Sequence, residues 1–322
     1  MIITRTPFRI SFAGGGTDLR AFYVAERGVV LASAIDKYIY ITVNRRFDRS
    51  IRVSYSRTEI VEHASRIEHP IVREALALLG MGHGLEIISM ADVPAQTGLG
   101  SSGSFTVGLL HALHAFRGEH PSAEQLAAEA CAIEIERLRE PIGKQDQYIA
   151  AYGGFQRIQF NADERVFVDP LICAPGTMQA LNDRLLLCFT GMTRSASEIL
   201  AEQQRDMGAT APQLSALAEV AERMRTALIG TPRLDAFGEL LHESWIVKRR
   251  LSGVTNGAID RWYDRARQAG AIGGKILGAG GGGFLLLFVE PDARDAVTRA
   301  LVPLEPLPFQ FEPQGSKVIY SG

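Results

Sequence analysis

The chain has few cysteines and no strong excess of charge. Its 322 residues include three cysteines, Cys131, Cys173 and Cys188, which are widely scattered and form no C-x-x-C pair. This pattern disfavours a disulfide framework and a zinc site, and it favours reduced thiols in the cytoplasm. The formal net charge of −2 gives no electrostatic reason to expect nucleic acid or an anionic membrane as a partner.

Long apolar segments are missing as well. No uninterrupted apolar run reaches the length that crosses a membrane, and residues 1–7 do not contain the apolar core of a signal peptide. We therefore expect a cytoplasmic protein with no membrane partner. The composition allows a homo-oligomer but contains nothing that argues for one.

A third absence concerns nucleotide binding. The G-x-x-x-x-G-K-[ST] phosphate loop does not occur, because neither Lys144 nor Lys275 has the required glycine upstream or hydroxyl downstream. Two segments match G-x-G-x-x-G, beginning at Gly98 and at Gly278. Neither has the preceding strand, the following helix and the downstream acidic residue of a dinucleotide fingerprint. A nucleotide would have to bind this chain in another way.

The order of predicted elements indicates two units of mixed helix and strand. A length of 322 residues is near the upper limit for one hydrophobic core. Strands are predicted over residues 2–6, 8–12, 29–33, 38–44, 51–55, 85–90, 184–189, 283–289 and 309–319. Helices are predicted over residues 18–27, 71–79, 103–116, 123–139, 195–228, 234–251 and 256–269. This mixture favours an α+β or a layered α/β architecture over strict β-α-β alternation. Polar residues and prolines at 163–176 predict the boundary between domains 1–168 and 169–322.

The glycine-serine segment at residues 94–104 carries the strongest functional signal, and an apolar run of helical length follows it. Its last seven residues are Gly98, Leu99, Gly100, Ser101, Ser102, Gly103 and Ser104. A flexible loop that opens a helix directs backbone N–H groups and the positive end of the helix dipole at one point, which suits a polyphosphate. An ordinary N-capped helix start is the simpler alternative.

A second glycine cluster follows the predicted strand at residues 8–12. Its members are Gly14, Gly15, Gly16, Thr17 and Asp18. The glycines allow a ligand to approach the backbone closely, and the Asp18 carboxylate can accept hydrogen bonds from sugar hydroxyls. A tight turn with Asp18 capping a helix would give the same pattern.

Three segments in this order resemble the GHMP kinases, the family of galactokinase, homoserine kinase and mevalonate kinase. They are residues 6–18, residues 94–104 and residues 275–284, and together they span nearly the whole chain. The resemblance implies two α+β domains with the active site in the cleft between them. It also implies ATP and Mg²⁺ as cofactors, with residues 98–104 as the loop that binds the nucleotide phosphates.

Within the family, the chain resembles the kinases of D-glycero-D-manno-heptose 7-phosphate. The resemblance lies in residues 14–18, 140–147 and 189–197. Galactokinases carry Glu and His where this chain has Gly15 and Gly16, which leaves room for a different or larger sugar. This branch implies ATP-dependent phosphorylation of the anomeric hydroxyl of a phosphosugar. The product would be a 1,7-bisphosphate that supplies nucleotide-activated heptose for capsule or lipopolysaccharide.

The resemblance also implies catalytic roles. Asp146 matches the catalytic carboxylate of the family, and Arg9 matches the basic residue that accompanies it in galactokinases. A guanidinium beside Asp146 would keep the carboxylate ionised and help to orient the acceptor. Whether Asp146 acts as a general base or as an electrostatic positioner stays open. Ser102 and Glu136 would hold the Mg²⁺ ion, since both offer hard oxygen ligands.

Substrate contacts are expected from several segments. Residues 14–18 would bind the sugar, with Asp18 on its ring hydroxyls, and Gly280 and Gly281 would help to close the cleft. A distal phosphate on the sugar needs a cationic anchor with several donors. The candidate anchors are Lys144, Arg194, Lys275 and Arg20.

Two other functions remain open from the sequence. L-fucokinases resemble the same N-terminal segment but carry an aromatic residue at the position of Gly16, so a neutral-sugar kinase is the first alternative. The second is a sugar- or ATP-sensing protein that kept the fold and lost catalysis. The presence of both Arg9 and Asp146 argues against the sensor.

Overall fold

The computed structural model describes residues 1–193 and 196–322, and two β-sheets with covering helices make up its architecture. The strands are β1 (Ile2–Ala13), β2 (Gly28–Arg45), β3 (Ile51–Ser54), β4 (Thr58–Val61), β5 (Leu85–Ala91), β6 (Phe155–Phe160), β7 (Val166–Pro170), β8 (Leu185–Phe189), β9 (Ala271–Ile276), β10 (Phe284–Val289), β11 (Glu305–Pro306) and β12 (Lys317–Ser321). The α-helices are α1 (Arg20–Tyr23), α2 (Pro70–Leu78), α3 (Ser101–Phe116), α4 (Ala123–Cys131), α5 (Gln145–Tyr152), α6 (Thr177–Asn182), α7 (Ala196–Arg205), α8 (Met207–Leu228), α9 (Leu234–Lys248), α10 (Gly257–Gln268) and α11 (Arg294–Ala300).

The larger sheet is built around the long strand β2. Its strand order is β12-β1-β2-β5-β3-β4, and β6 and β7 extend the sheet from the first half of β2. The two predicted strands at residues 2–6 and 8–12 form one strand, β1, whose register with β2 shifts between Pro7 and Phe8. Helix α3 packs on β1 and β2, which places its N-terminus near the end of the sheet that carries Arg9.

The smaller sheet has the order β11-β8-β10-β9. All six residues of β10 are buried, as its continuous apolar run predicts. Strand β9 has no counterpart among the predicted elements, because Gly273 and Gly274 interrupt its apolar pattern. The structure requires the first of these glycines, since a Cβ at Gly273 would lie 2.1 Å from the carbonyl oxygen of Gly238 in α9.

The last strand of the chain returns to the first sheet. β12 pairs antiparallel with β1, with Ile2 opposite Ser321. The predicted boundary at residues 168–169 stays a prediction, but the C-terminal strand belongs structurally with the N-terminal half. The two halves also share apolar packing, because the ring of Phe12 lies 5.0 Å from that of Phe155 and 5.4 Å from that of Phe237 on α9.

Three predicted helices differ from the structure. The helix predicted at residues 18–27 is confined to the four residues of α1, and the one predicted at 195–228 is divided into α7 and α8 at Asp206, with Ser195 outside the described residues. The helix predicted at 123–139 is α-helical only to Cys131 and continues as a π-helical turn, Ala132–Arg137. No helix in the described parts of the chain has the length and apolar character needed to cross a membrane.

Candidate active site

A cleft of about 310 Å³ lies between the first sheet and the C-terminal half of the chain. One wall is formed by the end of β1, the turn after it and the beginnings of α3 and α5. The opposite wall comes from the end of α9 and from the glycine loop at residues 278–282. Most of the sequence segments singled out above therefore meet around one cavity.

The loop at residues 97–103 wraps around the N-terminus of α3. Gly98 and Gly100 have φ angles of +84° and +77°, a conformation that residues with side chains rarely adopt. A Cβ at Gly98 would lie 2.7 Å from the carbonyl oxygen of Leu277, so the loop packs directly on the backbone of the C-terminal half. No side chain caps α3, and its first turn lines the cleft, where the backbone amides can bind an anion.

Five residues of the predicted phosphate loop line the cleft. They are Gly98, Gly100, Ser101, Ser102 and Gly103. The other two predicted residues do not reach it, because both are buried against β1.

Leu99 accepts a hydrogen bond at its carbonyl oxygen from the Arg9 amide, 3.0 Å away, and Ser104 Oγ donates to the carbonyl oxygen of Pro7 at 2.8 Å. Leu99 and Ser104 thus fix the loop to the sheet rather than contact a ligand.

Arg9 and Asp146 form a two-point ion pair beside this loop. Arg9 Nε lies 2.7 Å from Asp146 Oδ1, and Arg9 Nη2 lies 2.9 Å from Asp146 Oδ2. Arg9 Nη1 donates to the carbonyl oxygen of Gly98 at 2.6 Å. The Arg9 side chain is 4% exposed and that of Asp146 is 27% exposed, so the carboxylate is the more accessible partner. The ion pair fixes the carboxylate next to the start of α3, where a Cβ at Gly103 would lie 2.9 Å from Asp146 Cβ.

Ser102 contacts the carboxylate of Glu134, which comes from the π-helical turn. Glu134 also accepts a hydrogen bond from Gln147 Nε2 at 2.9 Å and is completely buried. Burial disfavours the charged form and raises the pKa of Glu134 to about 7. Ser102 and Glu134 together place hard oxygen atoms, of the kind that Mg²⁺ prefers, on the wall of the cleft.

The structure does not bring Glu136, the predicted metal ligand, to Ser102. Glu136 is exposed and does not line the cleft. The physical reason is the π-helical turn. Its turns are wider than those of an α-helix, which changes the residues that face the core. The geometry therefore places Glu134, rather than Glu136, beside the phosphate loop.

Asp18 also lines the cleft, in the turn that follows β1. Its Oδ1 accepts from the Gly16 amide at 2.9 Å, and its Oδ2 accepts from the Gln145 amide at 3.1 Å. Burial raises the pKa of this carboxyl. Gly15 and Gly16 also line the cleft.

Two predicted sugar-binding residues of this turn have structural roles instead. Thr17 is buried, and its Oγ1 donates to the carbonyl oxygen of Gly14 at 2.7 Å. A Cβ at Gly14 would lie 1.9 Å from the carbonyl oxygen of Val29. Neither Gly14 nor Thr17 lines the cleft. They hold the turn against β2 and thereby position Asp18.

Ser11 and Gln145 add polar atoms to the cleft beside Asp18, and the sequence analysis did not identify either residue. Within the described residues, Ser11 Oγ and Gln145 Oε1 are buried without a hydrogen-bond partner. A Cβ at Gly15 would lie 3.5 Å from Gln145 Nε2 and 3.7 Å from Ser11 Oγ, so a longer side chain there would enter the space beside both. Buried polar atoms without partners mark a place where a polar ligand can be accommodated.

Three of the four predicted cationic anchors, Lys144, Lys275 and Arg20, do not line the cleft. Lys144 donates to Glu164 at 2.5 Å and Arg20 donates to the same carboxylate at 2.8 Å. Lys275 is buried and donates to the carbonyl oxygens of Ser11 and Phe12, where burial holds the pKa of its ammonium well below the usual range. Arg194 lies outside the described residues.

The glycine loop of the C-terminal half meets the phosphate loop backbone to backbone. A Cβ at Gly278 would lie 2.6 Å from the Cα of Gly98. Gly280 lines the cleft, whereas Gly281 does not, because its amide donates to the carbonyl oxygen of Val254 at 2.8 Å. Gly280 thus forms part of one side of the cleft, and Gly281 supports the loop from behind.

Comparison with known proteins shows the family to which the chain belongs. Residues 69–154 match the N-terminal domain of the GHMP kinases, and residues 211–303 match the C-terminal domain of the GHMP kinases. The D-glycero-alpha-D-manno-heptose 7-phosphate kinase of Campylobacter jejuni is 31% identical, over 93% of this chain and 93% of its own length. This chain belongs to the GHMP kinase family. The two-domain α+β fold predicted from the sequence is confirmed, and the chain is a kinase.

Further relatives of this GHMP kinase have related activities. A solved structure described as a D-glycero-D-manno-heptose 1-phosphate kinase from Bacteroides thetaiotaomicron superposes with a TM-score of 0.82 at 25% identity, covering 100% of both chains. The bifunctional fucokinase/GDP-fucose pyrophosphorylase of Arabidopsis thaliana is 27% identical over 90% of this chain and 30% of its own length. The resemblance to the heptose kinase branch is thus found in both sequence and structure.

Proposed function

We propose that this GHMP kinase transfers a phosphoryl group from ATP to the anomeric hydroxyl of D-glycero-D-manno-heptose 7-phosphate, giving the 1,7-bisphosphate. The observation that supports this most strongly is the position of the Arg9–Asp146 pair. It lies against the loop at residues 98–103 and in the same cleft as Asp18. Phosphoryl transfer needs this combination of an anion-binding loop and a group that orients the attacking hydroxyl.

ATP would occupy the end of the cleft formed by the start of α3. The amides of residues 98–103 would bind its phosphates. Pro70, Ile71 and Leu138 line the same cleft and offer apolar surface for the purine base. Production of nucleotide-activated heptose for capsule or lipopolysaccharide and a cytoplasmic location are part of the same proposal.

The residues of the cleft fit a magnesium ion. Ser102 and Glu134 supply oxygen ligands, and no group of three or more His, Cys, Asp or Glu side chains that could hold a metal occurs within residues 1–193 and 196–322. A site with one protein carboxylate and one hydroxyl suits Mg²⁺, which usually takes one or two protein carboxylates and completes its coordination with phosphate oxygens and water. When bound, the ion would neutralise charge on the transferred phosphate.

Asp146 would receive the acceptor hydroxyl. Arg9 occupies one direction at each carboxylate oxygen, which leaves further lone pairs for the hydroxyl proton. In the transfer, the hydroxyl oxygen bonds to the γ-phosphorus as its proton passes to Asp146. The bond between the γ-phosphorus and the bridging oxygen breaks, and ADP leaves with that oxygen. Asp18, Ser11 and Gln145 would hold the sugar hydroxyls.

A coupled ADP-release assay tests the proposed function. The acceptors are D-glycero-D-manno-heptose 7-phosphate, the corresponding 1-phosphate, the unphosphorylated heptose and L-fucose. We expect the highest kcat/KM with the 7-phosphate. Fucose is the second candidate because of the similarity to the fucokinase. Highest kcat/KM with fucose, with the 1-phosphate or with free heptose would contradict the proposal, as would the absence of ADP release with every acceptor.

A further inference from the structure

Lys248 is a buried cation on the wall of the cleft that the family resemblance did not single out. It is the last residue of α9, its residue surface is 6% exposed, and it lines the cleft. Its Nζ donates to the carbonyl oxygen of Gly278 at 2.5 Å. An ammonium has three N–H donors, so two of them have no hydrogen-bond partner among the described residues. Leaving a buried charged donor without acceptors is costly, and a ligand in the cleft would remove this cost.

The charged groups around Lys248 come from three other parts of the fold. Burial, followed by the Arg9 guanidinium on β1, lowers the pKa of Lys248 to about 8, and the Asp18 carboxylate opposes this shift. Lys275 on β9 is also close enough to interact with it electrostatically. Arg9 is already paired with Asp146, and none of the carboxylates is hydrogen-bonded to Lys248 Nζ among the described residues, so the ammonium has no anionic partner there.

Lys248 and Arg9 are the two cationic side chains that line the described part of the cleft. Arg9 already holds both oxygens of Asp146 and the carbonyl oxygen of Gly98. Lys248, in contrast, has two N–H donors without a hydrogen-bond partner among the described residues. Lys248 is also close to two other parts of the site: Gly278, its partner, packs on Gly98 of the phosphate loop, and Asp18 interacts with Lys248 electrostatically.

We propose that Lys248 binds a phosphate oxygen in the cleft, belonging either to the phosphoryl group in transfer or to the phosphate that the acceptor already carries. This inference rests on the proposed function, since it assumes a phosphate-bearing ligand at this site. If the phosphate is the one that the acceptor carries, Lys248 takes the role of distal-phosphate anchor for which the sequence suggested Lys144, Arg194, Lys275 and Arg20.

Binding of two ligands to the whole protein, without catalysis, tests the assignment. Calorimetric titrations use inorganic tripolyphosphate as the probe of the nucleotide phosphates and heptose 7-phosphate as the probe of the acceptor phosphate. The variants are Lys248→Met, which removes the charge at similar length, and Lys248→Arg, which keeps it. Lys317→Met, in strand β12 outside the cleft, is the matched control. Melting temperatures check that each variant is folded, and Lys248→Gln replaces Lys248→Met if the latter is not.

We expect the neutral variant to bind at least one of the two probes roughly ten-fold or more weakly, and Lys248→Arg to restore much of that affinity. Weaker binding of tripolyphosphate assigns the contact to the transferred phosphoryl group. Weaker binding of heptose 7-phosphate, with the unphosphorylated heptose unaffected, assigns it to the acceptor phosphate. Unchanged binding of both probes overturns the inference.

The pH dependence of kcat/KM provides a readout that a purely structural role would not move. With a pKa of about 8 in the protein, Lys248 loses its charge on the alkaline side, and wild-type activity should decline there. Lys248→Arg should retain activity above the pKa of Lys248 because arginine stays protonated there. An identical alkaline decline in both proteins would contradict the inference. Failure of the wild-type protein to release ADP from any acceptor would instead contradict the proposed function, and the tripolyphosphate titration would still test Lys248.

Discussion

Arg9 donates hydrogen bonds to both carboxylate oxygens of Asp146, at 2.7 and 2.9 Å, and its remaining nitrogen donates to the carbonyl oxygen of Gly98. One side chain thus connects the carboxylate that we propose orients the acceptor to the loop that would hold the nucleotide. A bidentate guanidinium–carboxylate contact fixes orientation as well as charge, which a lysine at position 9 could not do.

Asp146→Asn removes the charge of this carboxylate while keeping its shape. We expect kcat to fall by roughly 10²–10⁴-fold, the usual contribution of a positioned acid or base, because the amide cannot take the hydroxyl proton. Steady-state kinetics with saturating ATP and acceptor measures the loss. The exposed Asp264 provides a matched control, and Asp264→Asn should retain wild-type kcat. A fully active Asp146→Asn enzyme would remove Asp146 from the mechanism.

Glu134 should make stability depend on pH. Burial raises its folded pKa from 4.5 to about 7, so the native state binds the extra proton more tightly than the unfolded chain does. Its contribution is therefore fully present below about pH 4.5 and is lost as the pH rises through about 7. Glu134→Gln cannot lose this proton, and without Mg²⁺ we expect it to be more stable than wild type at pH 8 by roughly 1–3 kcal/mol.

Urea unfolding at pH 5 and pH 8 measures this difference, and Glu136→Gln is the control on the same turn. Because Glu136 is exposed, its variant should follow the wild-type pH dependence. Magnesium binding should also weaken in Glu134→Gln and not in Glu136→Gln. Weaker magnesium binding in Glu136→Gln and unchanged binding in Glu134→Gln would instead identify Glu136 as the metal ligand.

A comparison of alanine substitutions at Gly98 and Gly118 distinguishes the effect of close contact between two loops from the effect of backbone strain. Both have positive φ angles, +84° and +80°, but a Cβ at Gly98 would meet the carbonyl oxygen of Leu277, whereas a Cβ at Gly118 would meet nothing within 4 Å. Each change to alanine should cost roughly 1–2 kcal/mol for the left-handed conformation. Gly98→Ala should lose more stability than Gly118→Ala and should raise the KM for ATP. Equal stabilities and equal KM values would show that the contact between the loops is unimportant.

Several residues that line the cleft can be found from the sequence because they lie in local patterns. Glycines at 98, 100 and 103 before an apolar helix and Asp18 after a strand are visible in the order of residues, whereas Asp146 was identified only by the family resemblance. The ion pair between Arg9 and Asp146 joins residues 137 positions apart, and its expectation came from the family resemblance rather than from spacing.

The parts that sequence reasoning missed depend on changes of register or on contacts between distant segments. Because of the π-helical turn, Glu134 rather than Glu136 lies beside the phosphate loop, and no sequence pattern used above predicts such a turn. Lys248 reads as an ordinary charged residue at a helix C-terminus, where lysine is favoured by the helix dipole. Its burial depends on the loop at Gly278, 30 residues away. The return of β12 to β1 likewise cannot be inferred from a short strand pattern.

Phosphorus NMR of the reaction product tests the proposed reaction most directly. The purified protein is incubated with ATP, Mg²⁺ and D-glycero-D-manno-heptose 7-phosphate, and the new phosphorus signal is followed. We expect formation of ADP and a phosphomonoester signal coupled to the anomeric proton, with the 7-phosphate signal retained. A phosphate on any other carbon, or no new sugar phosphate from an enzyme that releases ADP with another acceptor, would contradict phosphorylation of the anomeric hydroxyl of this heptose.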